Sequence, residues 1–229
     1  IKNLKLVRNR IKFIKCDLKN KEKIYKILKK VDYVFHLAGL VDVIKSFKHP
    51  VEYNKTNVLG TLNILKAAHQ AKVKKFIYAA SASCYGNSKE LPTSEKADID
   101  ILSPYALTKW LGEQLVLHWV KRYNLSAISL RFFNVYGPRS NNSGSYSAVI
   151  NIFIKQKLSK KPFTIVGDGS QTRSFVYISD VVKAMIKAAK SKISGEIFNV
   201  GGKKSVQINK IAELLGGKKI YIPKRKGEL

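Results

Sequence analysis

Along the 229-residue chain, short β-branched or aromatic runs alternate with longer stretches whose apolar residues recur at three- and four-residue spacing. That alternation predicts βαβ units around a parallel sheet, an α/β fold. The runs Lys12 to Cys16, Tyr33 to Ala38, Lys75 to Ala80 and Ala127 to Phe132 read as strands. Val51 to Gln70 and Tyr105 to Tyr123 read as long crossover helices, with Val58, Leu62 and Leu65 on the first and Leu107, Leu111 and Leu115 on the second at helical spacing. Pro50 and Pro104 stand just ahead of them, where a missing N–H costs least. Past Asn134 a Gly-, Ser- and Asn-rich loop, Tyr136 to Tyr146, gives way to shorter elements. These read as helix Ala148 to Leu158, strand Phe163 to Val166, strand Ser174 to Tyr177, helix Asp180 to Ser191, strand Ile197 to Val200 and helix Ile208 to Leu214. The pattern therefore divides the chain at about residue 139: a first unit over 1–139, and a second over 140–229 some of whose elements can return to the first.

Composition narrows this picture. A hydrophobic content of 45% supports a sizeable core. Forty-three basic residues against 15 acidic ones give a net charge of +28, which raises nucleic acid or an anionic surface as a partner. Only seven of the 43 are Arg, however, and the Lys are spread along the whole chain without interleaved aromatics, so a solvated Lys background is the expectation, with no nucleic acid partner. No apolar stretch reaches the roughly 20 residues of a membrane span, and the first residues lack the apolar core of a secretion signal. Cys16 and Cys84 are far apart and match no metal spacing, so reduced thiols, a cytoplasmic location and no metal site are expected. The chain opens on Ile1 and its one methionine is Met185, so it is expected to be part of a longer sequence.

The sharpest candidate chemistry is Tyr105 with Lys109, one helical turn apart. A phenol titrates near 10 and is a poor base at neutral pH, but an adjacent ammonium favours the phenolate. Ser81 and Ser83 follow a predicted strand and fall at its carboxyl end, where open α/β sheets hold ligands. Ala38 and Gly39, after another strand, are small enough for a flat cofactor to approach the backbone, and Asp17 could accept from an adenine amino group or else cap the helix near Lys21. His36 lies inside an apolar strand and reads as a core histidine.

Taken in order, Cys16-Asp17-Leu18, His36 to Gly39, Asn57 to Thr61, Ser81 to Gly86, Tyr105 with Lys109, Leu130 to Arg139, Gly167 to Tyr177, Asp180-Val181, Phe198 to Gly201 and Arg225 to Glu228 resemble the extended short-chain dehydrogenase/reductase family. Within it they are most similar to nucleotide-sugar 4-epimerases of the UDP-glucose 4-epimerase type. The resemblance implies a Rossmann-like doubly wound parallel sheet with a smaller C-terminal α/β substrate-binding domain, NAD as cofactor, a UDP-sugar or other nucleotide-sugar substrate, and a homodimer formed through the two long helices. It implies Tyr105 as catalytic acid/base, Lys109 on the nicotinamide ribose and Ser81 between substrate and tyrosine. It places Asp17 and Leu18 at the adenine, Leu37, Ala38 and Gly39 along the dinucleotide, and Asn57 and Phe133 near the nicotinamide. Ser83, Asn134, Arg173, Arg225 and Glu228 fall to the sugar nucleotide. The family's GxxGxxG turn does not occur in the 229 residues, where Gly39 is the first glycine, so at least one βαβ unit is expected ahead of Ile1. Ala82 and Ser83 stand where a 4,6-dehydratase needs an Asp-Glu pair, which favours epimerisation over dehydration; a reductase or decarboxylase on the same scaffold stays open.

Overall fold

The computed structural model describes residues 2–140 and 149–223. Its centre is a four-stranded, all-parallel sheet of order β1-β2-β3-β7, built from Tyr33–His36, Lys75–Ser81, Ala127–Phe132 and Ile197–Val200. Parallel neighbours need crossovers, and the two long apolar-periodic segments supply two of them. The first runs from α3 (Pro50–Tyr53) through a π-helical stretch, Asn54–Leu59, into α4 (Gly60–Gln70). The second is α5 (Pro104–Tyr123). Ser103 caps α5 by accepting from the Ala106 N–H at 3.1 Å, Pro104 occupies its first turn, and Asn124 closes it in the left-handed region.

Both helices cover one face of the sheet, where Leu65, Ala68, Phe76, Tyr78, Val116 and Ala127 are buried together. The opposite face is covered by α7 (Ile178–Lys190), whose Val181, Met185, Ala188 and Ala189 pack on Ile77, Ile128 and Leu130. So β7 and α7, which follow the predicted break at residue 139, belong to the first sheet. A smaller unit stands beside it: β4 (Asn134–Tyr136) and β6 (Thr172–Tyr177) run parallel, with β8 (Ser205–Gln207) antiparallel to β6. A two-stranded pair, β5 (Phe163–Val166) with β9 (Lys219–Ile222), packs against α6 (Val149–Leu158) and α8 (Ile208–Leu215) around Phe153, Phe163 and Ile211.

The strand expected over Lys12 to Cys16 is not formed. No backbone ladder reaches this stretch, and Ile11, Phe13 and Ile14 are exposed. β-branched residues favour a strand only where a neighbouring strand accepts their hydrogen bonds. The helix α1 (Lys21–Leu28) that follows is capped by Asn20, which accepts from the Lys23 N–H; Asp17 instead accepts from the Lys19 N–H in a local turn. The short elements α2 (Val43–Lys48), β4, β8 and β9 were not anticipated, and β1 ends two residues before the expected Ala38.

One glycine fixes the distance between α5 and β2. A Cβ on Gly112 would lie 2.2 Å from the Tyr78 hydroxyl oxygen, so only glycine lets the helix lie this close over the strand.

Candidate active site

Three segments converge at the carboxyl ends of the central strands. The first is the first half of α5. Tyr105 and Lys109 lie one turn apart on it and both are buried, at 8% and 6% exposure. The Lys109 ammonium sits 4.5 Å from the centre of the Tyr78 ring, a cation–π contact, and among the described residues it forms no ion pair. Burial pulls its pKa from 10.5 down to about 8, against the opposing field of the Glu113 carboxylate one turn further on. Tyr78 itself is fully buried with its pKa driven up, first by burial and then by Tyr105 and Glu113, so it stays a neutral phenol under the ammonium.

The second segment is the turn after β2. Ser81 ends the strand and caps the short 3₁₀ turn Ala82–Tyr85, its Oγ 3.2 Å from the Ser83 N–H and 2.9 Å from Ser83 Oγ. The two predicted serines are therefore in mutual contact and only half-buried. Cys84 and Tyr85 behind them are buried. The Tyr85 ring stacks on Phe133 at 6.4 Å, which brings a third predicted residue to the same wall.

The third segment is the loop leaving β1. Leu37, Ala38 and Val41 are exposed, and Gly39 lies so close to Asn57 that a Cβ would sit 3.0 Å from its Oδ1. Asn57, in the π-helical stretch, clamps this loop: Oδ1 accepts from the Leu40 N–H at 2.8 Å, while Nδ2 donates to the Leu40 carbonyl at 2.9 Å and to Thr108 Oγ1 at 3.0 Å. All of its side-chain polar atoms are thus engaged by the protein, and its place is behind the loop. π-Bulges recur at functional sites because they re-aim a helical side chain, and here the side chain joins the β1 loop to α5.

His36 is a core histidine, 2% exposed. Thr61 Oγ1 already donates to the Asn57 carbonyl, so the 2.8 Å contact to His36 Nε2 is an Nε2–H donation and Nδ1 is left as a buried acceptor with no partner among the described residues. Burial first, and the nearby Lys109 charge second, hold the imidazole at about 3. Because this pKa lies below the ordinary value near 6.5, the unfolded chain binds the proton more readily, and stability falls as pH drops from 6.5 towards 3. Between pH 6.5 and 5 the expected loss is about 2 kcal/mol. Urea unfolding at the two pH values checks it: a His36→Gln variant, which keeps a donor for Thr61 but does not titrate, is expected to show a much flatter difference.

The remaining predicted residues are spread wider. Asp17 is exposed and paired with Lys19 at 3.4 Å, whereas Leu18 packs on Gly60 and its carbonyl accepts from Asn63. Asn134 donates to the Ser174 carbonyl at 3.0 Å and the neighbouring Arg173 is half-buried on β6, which joins these two at the smaller unit. Arg225 and Glu228 lie outside the described residues. Of the described lysines only Lys75 and Lys109 are buried, so the charge of +28 is mostly solvated surface. Among the described residues no helix is long and apolar enough to cross a membrane.

Sequence reasoning assigned no role to Glu113, Arg131 or Tyr85. Glu113 is 1% exposed and its carboxylate takes the Arg131 guanidinium in a forked pair, Oε1 to Nη2 at 2.6 Å and Oε2 to Nε at 3.0 Å, with Ser129 Oγ donating to Oε2 at 2.9 Å. The available signal was an acid four residues after Lys109 and an Arg inside an apolar strand.

A buried Tyr/Lys helix turn, hydroxyls at a strand end and a small-residue loop, all on one end of a parallel sheet, are the parts of a dinucleotide-dependent enzyme site. The chain belongs to the NAD dependent epimerase/dehydratase family, whose model matches residues 2–201. It is 36% identical over 225 residues to a putative UDP-glucose 4-epimerase of Methanocaldococcus jannaschii, covering 95% of this chain and 73% of that protein. Among solved structures it resembles the UDP-N-acetylglucosamine 4-epimerase from Methanobrevibacter ruminantium in complex with UDP-N-acetylmuramic acid, with a TM-score of 0.90, 36% identity and coverage of 94% and 71%. It also resembles the UDP-glucuronic acid 4-epimerase from Bacillus cereus in complex with UDP-glucuronic acid and NAD, with a TM-score of 0.89, 34% identity and coverage of 97% and 72%. The chain thus spans about seven tenths of the length of these relatives.

The cofactor of the family is NAD, and the described residues fit part of it. Lys109 offers a buried ammonium with no carboxylate among the described residues within ion-pair distance, a donor set suited to neutral ribose hydroxyls, and Leu37 and Ala38, on the loop that Asn57 ties to α5, are exposed. A glycine-rich pyrophosphate turn is not among the 229 residues.

Proposed function

We propose that the full-length protein interconverts the C4 epimers of a UDP-sugar. The observation that carries this reading is the buried Tyr105–Lys109 turn of α5, whose ammonium sits over the Tyr78 ring on β2, the strand that ends at Ser81. NAD, when bound, supplies the acceptor that takes the C4 hydride and returns it. Tyr105 would take the proton of the sugar 4-hydroxyl and later return it to the same oxygen, so that the residue is regenerated and no net oxidation occurs. Lys109 would hold the nicotinamide-side ribose and, as a cation one turn from the phenol, would favour its ionised form. Ser81 bridges the substrate hydroxyl and Tyr105, with Ser83 fixing its rotamer at 2.9 Å. Leu37, Ala38, Gly39 and Phe133 line the cofactor, Asp17 and Leu18 stand at its adenine end, and Asn134, Arg173, Arg225 and Glu228 hold the nucleotide diphosphate; an Arg fork matches phosphate oxygens and stays charged.

The relatives support the UDP-sugar class, since those described above are named for 4-epimerisation or hold a UDP-sugar. Ala82 and Ser83 offer no carboxylic acid to protonate a leaving hydroxyl, which favours epimerisation over dehydration. The test is incubation of the full-length protein and NAD with UDP-glucose, UDP-N-acetylglucosamine and UDP-glucuronate, followed by NMR of the sugars. The C4 epimer of at least one is expected. Loss of water, release of carbon dioxide or net NADH formation would overturn the reading.

A further inference from the structure

We infer that Glu113 and Arg131 are positioning residues that lock the Tyr105–Lys109 helix to the Ser81–Tyr85 turn, so that the two halves of the site keep one register. The inference rests on the roles given above to Tyr105, Lys109 and Ser81. Glu113 follows Lys109 by four residues and Tyr105 by eight, and so lies on the same side of α5. Its carboxylate grips Arg131 on β3, and the other end of that guanidinium reaches the turn: Nη1 donates to the Tyr85 hydroxyl at 2.7 Å and to the Glu95 carbonyl at 3.2 Å. Tyr85 in turn donates to Asn199 Oδ1 on β7 at 2.7 Å, and the Asn199 N–H donates to Glu95 Oε1 at 2.7 Å. One unbroken polar line therefore joins the helix, the central strand, the serine turn and the last strand of the sheet.

Stability alone is a poor reason for such a line. Two buried charges cost solvation that their attraction only roughly returns, and well-packed apolar replacements of a buried pair are often neutral or better. A line of directional bonds does something apolar packing does not: it selects one relative placement of its members. Two members of this line, α5 and the Ser81–Tyr85 turn, are the segments whose relative placement the proposed chemistry requires. Tyr85 also stacks on Phe133, so the same line sets the wall assigned to the nicotinamide.

The experiment compares the full-length protein with Glu113→Leu/Arg131→Met, which removes both charges together, and with Tyr85→Phe, which deletes one hydroxyl and keeps the ring. For the double variant the expected result is a folded protein whose kcat falls at least tenfold while KM for the sugar nucleotide changes less than twofold. For Tyr85→Phe a drop of at least threefold in kcat is expected. Amide hydrogen exchange at residues 81–86 and 103–110 is expected to speed up in both variants, while residues 149–158 stay unchanged. A folded double variant with the parent kcat and parent exchange at both segments overturns the inference. If the double variant does not fold, Tyr85→Phe decides alone, and parent values there overturn it. Should the parent protein turn over none of the sugar nucleotides, the reading of function fails and the exchange rates still decide on the positioning.

Discussion

Tyr105→Phe is expected to lower kcat for sugar-nucleotide epimerisation by roughly 10²–10⁴-fold, with KM nearly unchanged. The ring fills a buried position at 8% exposure, and Phe keeps its volume, so the fold and the packing of α5 on β2 are retained. What is lost is the one oxygen to which the proposed mechanism assigns the proton exchange with the sugar hydroxyl. No other described group at that end of the sheet substitutes for it. Tyr78 is fully buried with its pKa pushed up, and His36 is held at about 3 behind Thr61, so neither shuttles a proton at neutral pH. Steady-state kinetics with a circular-dichroism check of folding measures the effect, and parent-like turnover would remove Tyr105 from its assigned role. Lys109→Met gives a companion result: the methionine keeps the apolar stem over Tyr78 but deletes the cation, so the fall in kcat is accompanied by weaker NAD binding, which Tyr105→Phe leaves nearly intact.

The parts of this site that were legible in the sequence are those governed by local rules. Period, with Pro104 just ahead, marked α5 as Tyr105 to Tyr123, within a residue of its observed bounds, and the i, i+4 rule alone set Tyr105 and Lys109 on one side of it. Strands β3, β5 and β7 were legible from β-branched and aromatic runs that are buried on at least one face. Failures occurred where the outcome depends on a partner far along the chain. Lys12 to Cys16 carries strand-like residues but has no neighbouring strand, and Ser205–Gln207 is a strand only because β6 offers it an edge. Asn57 has the same lesson for the site. The resemblance implies a place near the nicotinamide, whereas its observed hydrogen bonds to Leu40 and Thr108 are a consequence of tertiary packing with no local sequence mark. Glu113 was hidden for a related reason, since an acid on a helix reads as solvated until its partner 18 residues later on β3 is placed beside it.

Glu113→Gln is the single change expected to cost the most stability, about 3–5 kcal/mol. The amide is nearly isosteric, so no cavity opens; the loss comes from the guanidinium it abandons. Arg131 is 3% exposed; burial lowers its pKa, but the hydrogen bonds it donates to Glu113 and Tyr85, with the Glu113 charge, outweigh that and raise it, so it stays charged at every accessible pH. With Glu113 neutral that charge remains in the interior with the Tyr85 hydroxyl and the Glu95 carbonyl and, among the described residues, no other ion-pair partner. A buried guanidinium cannot escape by losing its proton as a buried lysine does, so the whole penalty falls on the folded state. The conversion of both residues to Leu and Met removes that penalty, and the double variant is therefore expected to be more stable than Glu113→Gln despite being the larger change. Urea unfolding of the parent, Glu113→Leu, Arg131→Met and the double variant measures the coupling between the sites. Strong non-additivity is expected, with each single change costing more than the pair together; additive losses would mean that the two charges are solvated independently and that the forked pair between α5 and β3 contributes nothing of its own.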